Sequence, residues 1–400
     1  MEDLNGHAEP LARERQPSPR SRDRETETMM AFCIGRSEAQ APFARLRTNV
    51  PVPTPLAHEA LIRVLCAGIC GTDLAMMNDY KPGFEGALGH EFVGEVVRVG
   101  QEGNATTWLG KRVVGEINVP CNDKVQCRVC SAVHSRTPEP KSSRGRDPTI
   151  LHRNHCPNRQ ALGIVGRSGA FAEYITLPLA NLLVVPDNVT DSEATFTEPL
   201  AAAYRVVEQA VIKPSDSVAV LGDGRLGLLI AEVLAAEKVA RAITLVGRHP
   251  GKLALMDHLV HTVVAYHSST AAAAETPPSF DELYRDKFNV VAECTGTPSG
   301  ILSALSIVKP CGGRIIMKST CAVAKTEISS DALALAARKG VEVIGSRCGP
   351  FTPALAALAA KRVKVAKFLA ATFPLARAED AIAHAKQRGV LKVQLNAASM

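Results

Sequence analysis

The sequence predicts a two-domain α/β protein in which a compact antiparallel barrel-like domain precedes a doubly wound parallel sheet. Short strand patterns separated by glycine and proline occupy the first half of the chain. Apolar strands alternating with alanine-rich helices occupy the second half, which a glycine-rich turn opens. The 400 residues suffice for two domains, and the 46% hydrophobic fraction suffices for their cores.

The chain begins with a segment rich in charges of both signs and nearly free of large apolar side chains. Because such a segment cannot bury enough surface to offset its ordering entropy, we expect residues 1–29 to be a disordered extension. Its acidic residues are atypical of transit peptides. Eleven cysteines without a signal peptide favour a reducing compartment, so a cytoplasmic protein is expected.

Residues 30–189 are predicted to form the barrel-like domain from strands such as ALIRVLCAG, EFVGEVVRVG and KRVVGEI. Four residues of a borderline-soft metal-ligand set lie on its loops or just beyond them: Cys70, His90, Glu91 and Glu198. This set suits zinc, and three protein ligands leave a fourth position for water or substrate. Gly71 and Gly89 provide permissive backbone beside the ligands, and Asp73 is available to orient one of them. The alternative is a buried cysteine and a hydrogen-bonded histidine without a metal.

A second metal site is suggested by four cysteines: Cys121, Cys127, Cys130 and Cys156. Four thiolates form a closed tetrahedral site, which stabilises a loop but has no open position for chemistry. The sequence between the last two is polar, basic and rich in proline and serine, so we interpret residues 131–154 as a mobile surface insertion. Loop length raises the closure entropy only slowly, so the site tolerates the insertion. Reduced thiols or a disrupted lobe are the alternative.

Residues 190–346 are predicted to form a cofactor domain, which opens with the strand–turn–helix pattern SVAVLGDGRLGLLIAEVLA. Five residues of this pattern are the predicted cofactor-binding turn: Gly222, Gly224, Arg225, Leu226 and Gly227. The glycines permit a tight turn, and the helix N-terminus receives a pyrophosphate.

The second strand of this domain, AITLVG, ends without the acidic residue that usually binds the ribose of NAD. Gly247, Arg248 and His249 stand there instead, and the Arg248 guanidinium suits the 2′-phosphate of NADP. NADP is therefore the preferred cofactor. NAD stays possible if Arg248 stacks on adenine or lies in solvent. Lys318, together with the two residues after it, is predicted to line the nicotinamide or substrate pocket unless it is a solvated surface lysine.

Charge and hydropathy exclude two classes of partner. The net charge of +6 is modest for this length and comes without a basic face of interleaved aromatics, so nucleic-acid binding has little support. No apolar run is long enough to span a bilayer, so no membrane association is expected.

The motifs GICGTD, GHEFVGEV, AFAEYITLP, EPLAAAY and GDGRLG, with the cysteine group, resemble those of the zinc-containing medium-chain alcohol and polyol dehydrogenases, including sorbitol and threonine dehydrogenases. The resemblance covers about residues 30–395 and implies a GroES-like catalytic domain, a Rossmann cofactor domain and a segment 347–400 that returns to the catalytic domain. It implies that Cys70, His90 and Glu198 hold the catalytic zinc. Glu91 would be an alternate ligand or electrostatic modulator.

The implied reaction is hydride transfer between a secondary alcohol, polyol or sugar and NADP or NAD, through a zinc-bound alkoxide whose proton Thr72 receives. Two departures stand out. Ala75 occupies the place of a relay histidine, and Gly71 that of an arginine that binds pyrophosphate in some relatives. Arg347 could bind an anionic substrate group or the cofactor phosphates, or be a structural arginine. A homodimer or homotetramer that pairs through sheet edges would resemble the family. The alternatives are a zinc-independent quinone or enoyl reductase and a non-catalytic NADP-binding redox sensor or structural protein.

Overall fold

The computed structural model describes residues 27–37, 42–123, 125–134, 154–264, 279–319 and 330–398. The strands there are β1 Thr28–Arg36, β2 Pro42–Pro51, β3 Glu59–Gly68, β4 Gly86–Ala87, β5 Glu91–Val99, β6 Arg112–Gly115, β7 Asn118–Val119, β8 Gln160–Leu162, β9 Gly166–Arg167, β10 Tyr174–Pro178, β11 Leu182–Val184, β12 Ser217–Leu221, β13 Ala242–Gly247, β14 His261–Val264, β15 Val290–Glu293, β16 Arg314–Met317, β17 Glu342–Gly345, β18 Leu369–Pro374 and β19 Lys392–Asn396. The α-helices there are Gly71–Met76, Ala105–Trp108, Arg128–His134, Asp191–Ala194, Thr197–Ala210, Arg225–Glu237, Pro250–Leu253, Phe280–Leu283, Pro298–Ile307, Ser330–Lys339, Phe351–Ala359 and Ala378–Ala385.

The first domain is built around a sheet with strand order β11-β6-β5-β3-β19-β18, in which β10 also pairs with β3. All of its pairings are antiparallel except that between β18 and β19. Strand β19 joins β3 with Gln394 opposite Gly68, so the end of the chain completes the sheet of the first domain. This pairing brings the C-terminal segment close to the loop that carries Cys70.

The second domain contains a parallel sheet of order β14-β13-β12-β15-β16-β17. In chain order this is 3-2-1-4-5-6, the order of a dinucleotide-binding Rossmann sheet, and it confirms the predicted fold class. Residues of β12 and β15 are almost all buried because helices and neighbouring strands cover both faces of the sheet. The strand order reverses between β12 and β15, where such sheets bind ligands at their carboxyl ends.

The N-terminal boundary differs from the prediction. Residues 1–26 of the predicted extension lie outside the described residues, but Thr28 and Met29 belong to β1. Met29 is 5% exposed because it packs in a small core with Ala31 and Cys33. These alternating apolar residues pair with β2, which outweighs the charged composition of the preceding sequence.

The predicted insertion 131–154 is described only at its two ends. Residues 131–134 continue the helix Arg128–His134, residues 135–153 lie outside the described residues, and Asn154 is buried. Within the described chain, none of the helices combines the length and the hydrophobicity needed to cross a bilayer.

Candidate functional site

A cleft of about 580 Å³ is lined by residues of both domains. Most of the predicted site residues of the first domain line this cleft. Glu198 and Lys318 of the second domain line it too. These lining residues are Cys70, Thr72, His90, Glu91, Glu198 and Lys318. The cleft therefore brings together side chains that are up to 248 positions apart in the sequence, as counted from Cys70 to Lys318.

The buried carboxylate of Asp73 joins the two loops that carry Cys70 and His90. Asp73 Oδ2 accepts a hydrogen bond of 2.7 Å from the Cys70 amide, directly before the helix Gly71–Met76. Its Oδ1 accepts one of 3.2 Å from the Gly89 amide and also lies 3.2 Å from His90 Nδ1. Asp73 is 0% exposed, and its two amide hydrogen bonds keep the loops in fixed register, while His90 Nδ1 lies beside it without a hydrogen bond among the described residues.

Gly89 provides the backbone conformation that places His90 in the cleft. Its φ of +93° lies in the left-handed region, and a Cβ at this position would lie 2.4 Å from a ring carbon of Phe171. A larger residue would push the loop away from the core. Beside Cys70, Thr72 Oγ1 lies 3.7 Å from Cys70 Sγ.

Glu91 is buried beside the candidate ligands and forms an ion pair with Lys392 from strand β19. Lys392 Nζ also donates to the Ile69 carbonyl oxygen at 3.4 Å. Gly68 leaves room for the carboxylate, since a Cβ there would lie 2.3 Å from Glu91 Oε2. Lys392 was not singled out from the sequence. Its only signal was one cation within the apolar pattern GVLKVQL.

Cys70 Sγ, a ring nitrogen of His90 and a carboxylate oxygen of Glu91 all lie within 4.8 Å of one another. Glu91 Oε1 is buried and has no hydrogen-bond partner among the described residues. A buried carboxylate oxygen in that state needs a ligand, and a cation bound to a thiolate, an imidazole and a carboxylate satisfies it. The donor set therefore fits zinc. Glu198 lines the same cleft but is not a member of this close group.

The electrostatics of this group also favour a cation. Burial opposes protonation of His90, but the negative charges of Asp73 and Cys70 outweigh it and raise the pKa of His90 well above its usual range. Burial raises the pKa of Glu198 to about 6, and the nearby Glu91 carboxylate acts in the same direction. The negative charges of Asp73 and Cys70 are local to His90 and favour a divalent cation there, whereas the Glu198 shift reflects burial first.

The four cysteines of the predicted structural site meet in a separate lobe. The distances between their sulfur atoms are 3.6 Å for Cys121 and Cys130, 3.8 Å for Cys127 and Cys156, 3.7 Å for Cys130 and Cys156, and 3.5 Å for Cys121 and Cys156. Four sulfurs at a Zn–S distance of about 2.3 Å in a tetrahedron are about 3.8 Å apart. The lobe therefore has the dimensions of a closed zinc site, despite the long sequence between Cys130 and Cys156.

A second cavity, of about 340 Å³, lies at the carboxyl ends of β12 and β13 and is lined by Gly222, Gly224 and Arg248. Gly222 has a φ of +112°, and a Cβ on Gly227 would lie 1.9 Å from the Gly222 carbonyl oxygen. Both positions therefore require glycine: Gly222 because the turn is left-handed there, and Gly227 because the helix approaches the strand closely.

Asp223, the residue between the first two fingerprint glycines, was not singled out from the sequence. Its Oδ2 accepts hydrogen bonds from the amides of Arg248 at 2.8 Å and His249 at 2.7 Å, and it lies 2.9 Å from His249 Nδ1. Burial acts to raise the pKa of Asp223, but these hydrogen bonds outweigh it and lower that pKa. A Cβ on Gly247 would lie 2.4 Å from the Asp223 side chain. A carboxylate thus does stand at the end of β13, supplied by the glycine-rich turn.

Arg225 lies at the boundary between the domains. Its Nε donates to the Leu391 carbonyl oxygen and its Nη2 donates to that of Ala385 at 2.9 Å. Its Nη1 lies 4.0 Å from where a Gly71 Cβ would be. The guanidinium therefore lies beside the position where some relatives have an arginine. Leu226, the next residue, lines the 580 Å³ cleft.

Lys318 follows β16 and is 8% exposed, so it is not a solvated surface lysine. Its Nζ donates to Ser346 Oγ and to the Arg347 carbonyl oxygen, each at 3.2 Å. Burial lowers the pKa of Lys318 to about 8. Ser319 lines the same cleft, whereas Thr320 lies outside the described residues.

Two comparisons of the sequence identify its relatives. The GroES-like domain of alcohol dehydrogenases matches residues 56–187. A protein named L-threonine 3-dehydrogenase from Xanthomonas oryzae pv. oryzae (strain MAFF 311018) is 32% identical over 279 residues, which are 67% of this chain and 72% of the relative. The protein of the same name from Stenotrophomonas maltophilia (strain K279a) matches with the same identity and coverage.

Solved structures agree with the described fold. A zinc-binding dehydrogenase from Sinorhizobium meliloti 1021, solved with NADP, has a TM-score of 0.75 and 26% identity and covers 92% of this chain and 100% of its own. L-idonate 5-dehydrogenase from Escherichia coli K-12 has a TM-score of 0.71 at 20% identity, covers 92% and 98% respectively, and shows the shared fold only. The chain therefore belongs to the zinc-containing medium-chain alcohol dehydrogenase superfamily and is an NAD(P)-dependent oxidoreductase.

Proposed function

We propose that this enzyme oxidises a secondary alcohol or polyol with NADP, and reduces the corresponding carbonyl in reverse, in the cleft between its domains. One observation carries the proposal: Cys70, His90 and Glu91 converge in a cleft that Lys318 and the glycine-rich turn also reach. Metal ligands from one domain and a dinucleotide turn from the other are what metal-assisted hydride transfer requires.

We infer that Cys70, His90 and one of the two carboxylates, Glu91 or Glu198, hold the metal. When bound, zinc supplies Lewis acidity toward the substrate oxygen, and the nicotinamide takes up or releases the hydride. Thr72 lines the cleft beside Cys70 and receives the hydroxyl proton of the substrate. Because Ala75 replaces the relay histidine, the proton leaves from Thr72 into the water of the open cleft.

The preference for NADP rests on the end of β13. Gly247 offers no carboxylate to the ribose, and the Asp223 carboxylate is already occupied by two backbone amides and His249. The Arg248 side chain is exposed at the cavity, where Lys252 adds a second cation. Two cations beside a carboxylate whose acceptor positions are already used favour a 2′-phosphate over a 2′-hydroxyl.

Some relatives bind the pyrophosphate with an arginine at the position of Gly71. We infer that Arg225 takes over this contact. Two of its guanidinium nitrogens donate to backbone carbonyls, which hold the plane in place, while Nη1 points towards Gly71. We assign this Nη1 to the cofactor phosphates, next to the amides at the start of the helix Arg225–Glu237.

The function is tested by measuring NADPH and NADH formation by the zinc-replete enzyme with polyols, sugars, secondary alcohols and threonine. We expect turnover with NADP in preference to NAD. Arg248→Ser should lower kcat/KM for NADP by roughly 10- to 100-fold, as expected for a lost hydrogen bond to a charged group. Arg241→Ser, an exposed arginine outside the cofactor cavity, is the matched control. Equal use of both cofactors by the wild type would overturn the NADP assignment.

We further infer that two copies pair along β17, an edge of the parallel sheet. Val343 on this strand is 54% exposed, which is unusual for a valine in a sheet and suits a covered interface. Light scattering should give a dimer or a tetramer for the wild type. Val343→Lys should shift the population toward monomers. An unchanged oligomeric state in this variant would exclude the β17 edge as the interface.

A further inference from the structure

We propose that the substrate carries an anionic group, either a phosphate ester or a carboxylate, which Arg159 and Arg347 bind at one wall of the 580 Å³ cleft. This inference rests on the proposed function and adds the substrate class to it. It is drawn from the balance of charges in the cleft and from the convergence of two chain segments at that wall.

Cations outnumber carboxylates in the cleft. The lining cations are Lys81, Arg159, Arg225, Lys252, Lys318, Arg347 and Lys392. The lining carboxylates are those of Glu91 and Glu198. A cleft with seven cations and two carboxylates has a strongly positive potential, which focuses anionic ligands.

Four of these cations already form ion pairs or hydrogen bonds, or line the cofactor cavity. Lys392 pairs with Glu91, and Lys318 donates to Ser346 and to a backbone carbonyl. Arg225 donates to two backbone carbonyls, and Lys252 also lines the separate cofactor cavity. Of the remaining three cations, Lys81 lies over the Tyr80 ring, Arg159 donates through one nitrogen only, and Arg347 has no ion-pair partner among the described residues.

Arg159 and Arg347 reach the cleft from different segments. Arg159 follows the four-cysteine lobe, where its Nη1 donates to the Cys156 carbonyl oxygen at 3.3 Å. Arg347 follows β17, and its exposed guanidinium has no ion-pair partner in the described chain. The remaining guanidinium donors of both side chains are therefore available to a ligand.

A hydrogen-bond chain holds these two segments together. Asn118 Nδ2 donates to Asn154 Oδ1 at 2.9 Å, and Asn154 Nδ2 donates to the Cys348 carbonyl oxygen at 3.0 Å. Asn118 and Asn154 are buried, so the junction is fixed. This hydrogen-bond chain joins the segment that leads to Arg159 to the segment that carries Arg347, and both arginines line the cleft.

The cofactor does not account for this wall. Its cavity at the carboxyl ends of β12 and β13 has its own cations, Arg248 and Lys252, whereas Arg159 and Arg347 do not line it. They line the cleft that contains Cys70 and His90. Paired guanidinium groups recognise the planar or tetrahedral oxygens of carboxylates and phosphates through charge-assisted hydrogen bonds. A substrate that binds its hydroxyl at the metal ligands can place such an oxyanion group at this wall.

The test compares three matched substrates with saturating NADP and zinc-replete enzyme: a neutral five- or six-carbon polyol, its terminal phosphate ester and its aldonic acid. We expect one of the two anionic compounds to exceed the neutral polyol by about 100-fold in kcat/KM. Whether the ester or the acid leads identifies the anionic group. The preference should shrink as salt is raised, because exposed guanidinium groups are screened.

Two variants locate the effect. Arg159→Gln and Arg347→Gln should each reduce the ratio of anionic to neutral kcat/KM by roughly 10-fold or more. Arg347→Lys should restore only part of it, because an ammonium cannot form the paired contact. The control is Arg98→Gln, an exposed arginine on β5 outside the cleft, which should leave the ratio unchanged.

The failures are distinguishable. If the wild type uses the neutral polyol as efficiently as both anionic compounds, the inference is wrong and the dehydrogenase assignment stands. If the folded, zinc-replete enzyme turns over no compound with either cofactor, the proposed function fails. Isothermal titration of the phosphate ester, the acid and the neutral polyol into the NADP complex then tests the inference by itself. Equal or absent binding of all three would overturn it.

Discussion

The two groups of candidate metal ligands differ in how they are held. The four-cysteine lobe has one donor type, and Cys127, Cys130 and Cys156 form a small buried cluster of their own. The cleft group combines a thiolate, an imidazole and a carboxylate, which two residues outside the group hold in place. Asp73 holds the loops of Cys70 and His90, and Lys392 holds Glu91. A closed ligand set therefore stabilises a local loop, whereas an open set depends on charges supplied from the rest of the fold.

The largest expected effect removes the thiolate of the cleft. Cys70→Ser should lower kcat by about a thousandfold or more, because several kcal/mol of Lewis-acid stabilisation are lost. NADP affinity, measured by fluorescence titration, should be largely unchanged, since the dinucleotide turn is intact. Cys311→Ser, an exposed cysteine, is the control. Turnover near the wild-type rate in Cys70→Ser would refute the metal assignment.

The next prediction concerns the buried ion pair of the cleft. Lys392→Met should lower the free energy of unfolding by about 4 kcal/mol, because the Glu91 carboxylate is then buried without compensation. The double variant Lys392→Met, Glu91→Gln should recover most of this loss. Urea denaturation provides the measurement.

An exposed pair supplies the control for that prediction. Lys361 lies 2.9 Å from Glu193, with its side chain 50% exposed. Lys361→Met should cost less than about 1 kcal/mol. Similar losses for both lysine variants would show that Lys392 does not compensate Glu91.

Removing one sulfur from the four-cysteine lobe tests whether that lobe stabilises the fold without taking part in catalysis. Cys130→Ser should lower the zinc content by one ion per chain and the free energy of unfolding by about 3 kcal/mol, which corresponds to a fall in Tm of roughly 4 to 7 °C. The kcat at a temperature well below Tm should change little, since the lobe has no open position. Mass spectrometry and calorimetry measure both quantities. A loss of activity as large as that of Cys70→Ser would abolish the distinction between the two sites.

The smallest effect concerns the buried cation Lys318. Its pKa of about 8 lies below its ordinary value of 10.5, so the unfolded state binds more protons between these two pH values. The stability of the wild type relative to Lys318→Met should therefore rise with pH above about 8, by about 2 kcal/mol between pH 7 and pH 9.5. Denaturation series on both proteins at these pH values provide the test. A flat difference would place the Lys318 ammonium in solvent.

Several features could be predicted because their signals are local. The fingerprint turn combines a strand, three glycines and a helix within one short stretch, and Gly222 and Gly227 have the geometry that the motif requires. The residue types of both ligand groups were also readable, since sulfur, imidazole and carboxylate donors define the class of metal. The short apolar runs of β3 and β5, separated by glycine and proline, were sufficient to predict strands in the first domain.

Other features could not be predicted because they join distant segments. Lys392 contacts Glu91 across 301 positions, and Arg225 contacts Ala385 and Leu391 across at least 160. The Asp223 side chain lies against Gly247 only because β12 and β13 are neighbours in the sheet. The start of β1 at Thr28 likewise depends on its pairing with β2, which the charged composition of the preceding residues does not indicate.

The sequence by itself determined the fold class, the dinucleotide turn and the donor types of the two ligand groups, because short spacings and residue chemistry carry that information. Only the tertiary structure decided that Glu91 is closer to Cys70 and His90 than Glu198 is, and that Lys392 compensates its charge. Only the structure showed that Arg159 and Arg347 line the same cleft. The physical reason is that electrostatic partners are selected by distance in space, and the packing of the two domains sets those distances.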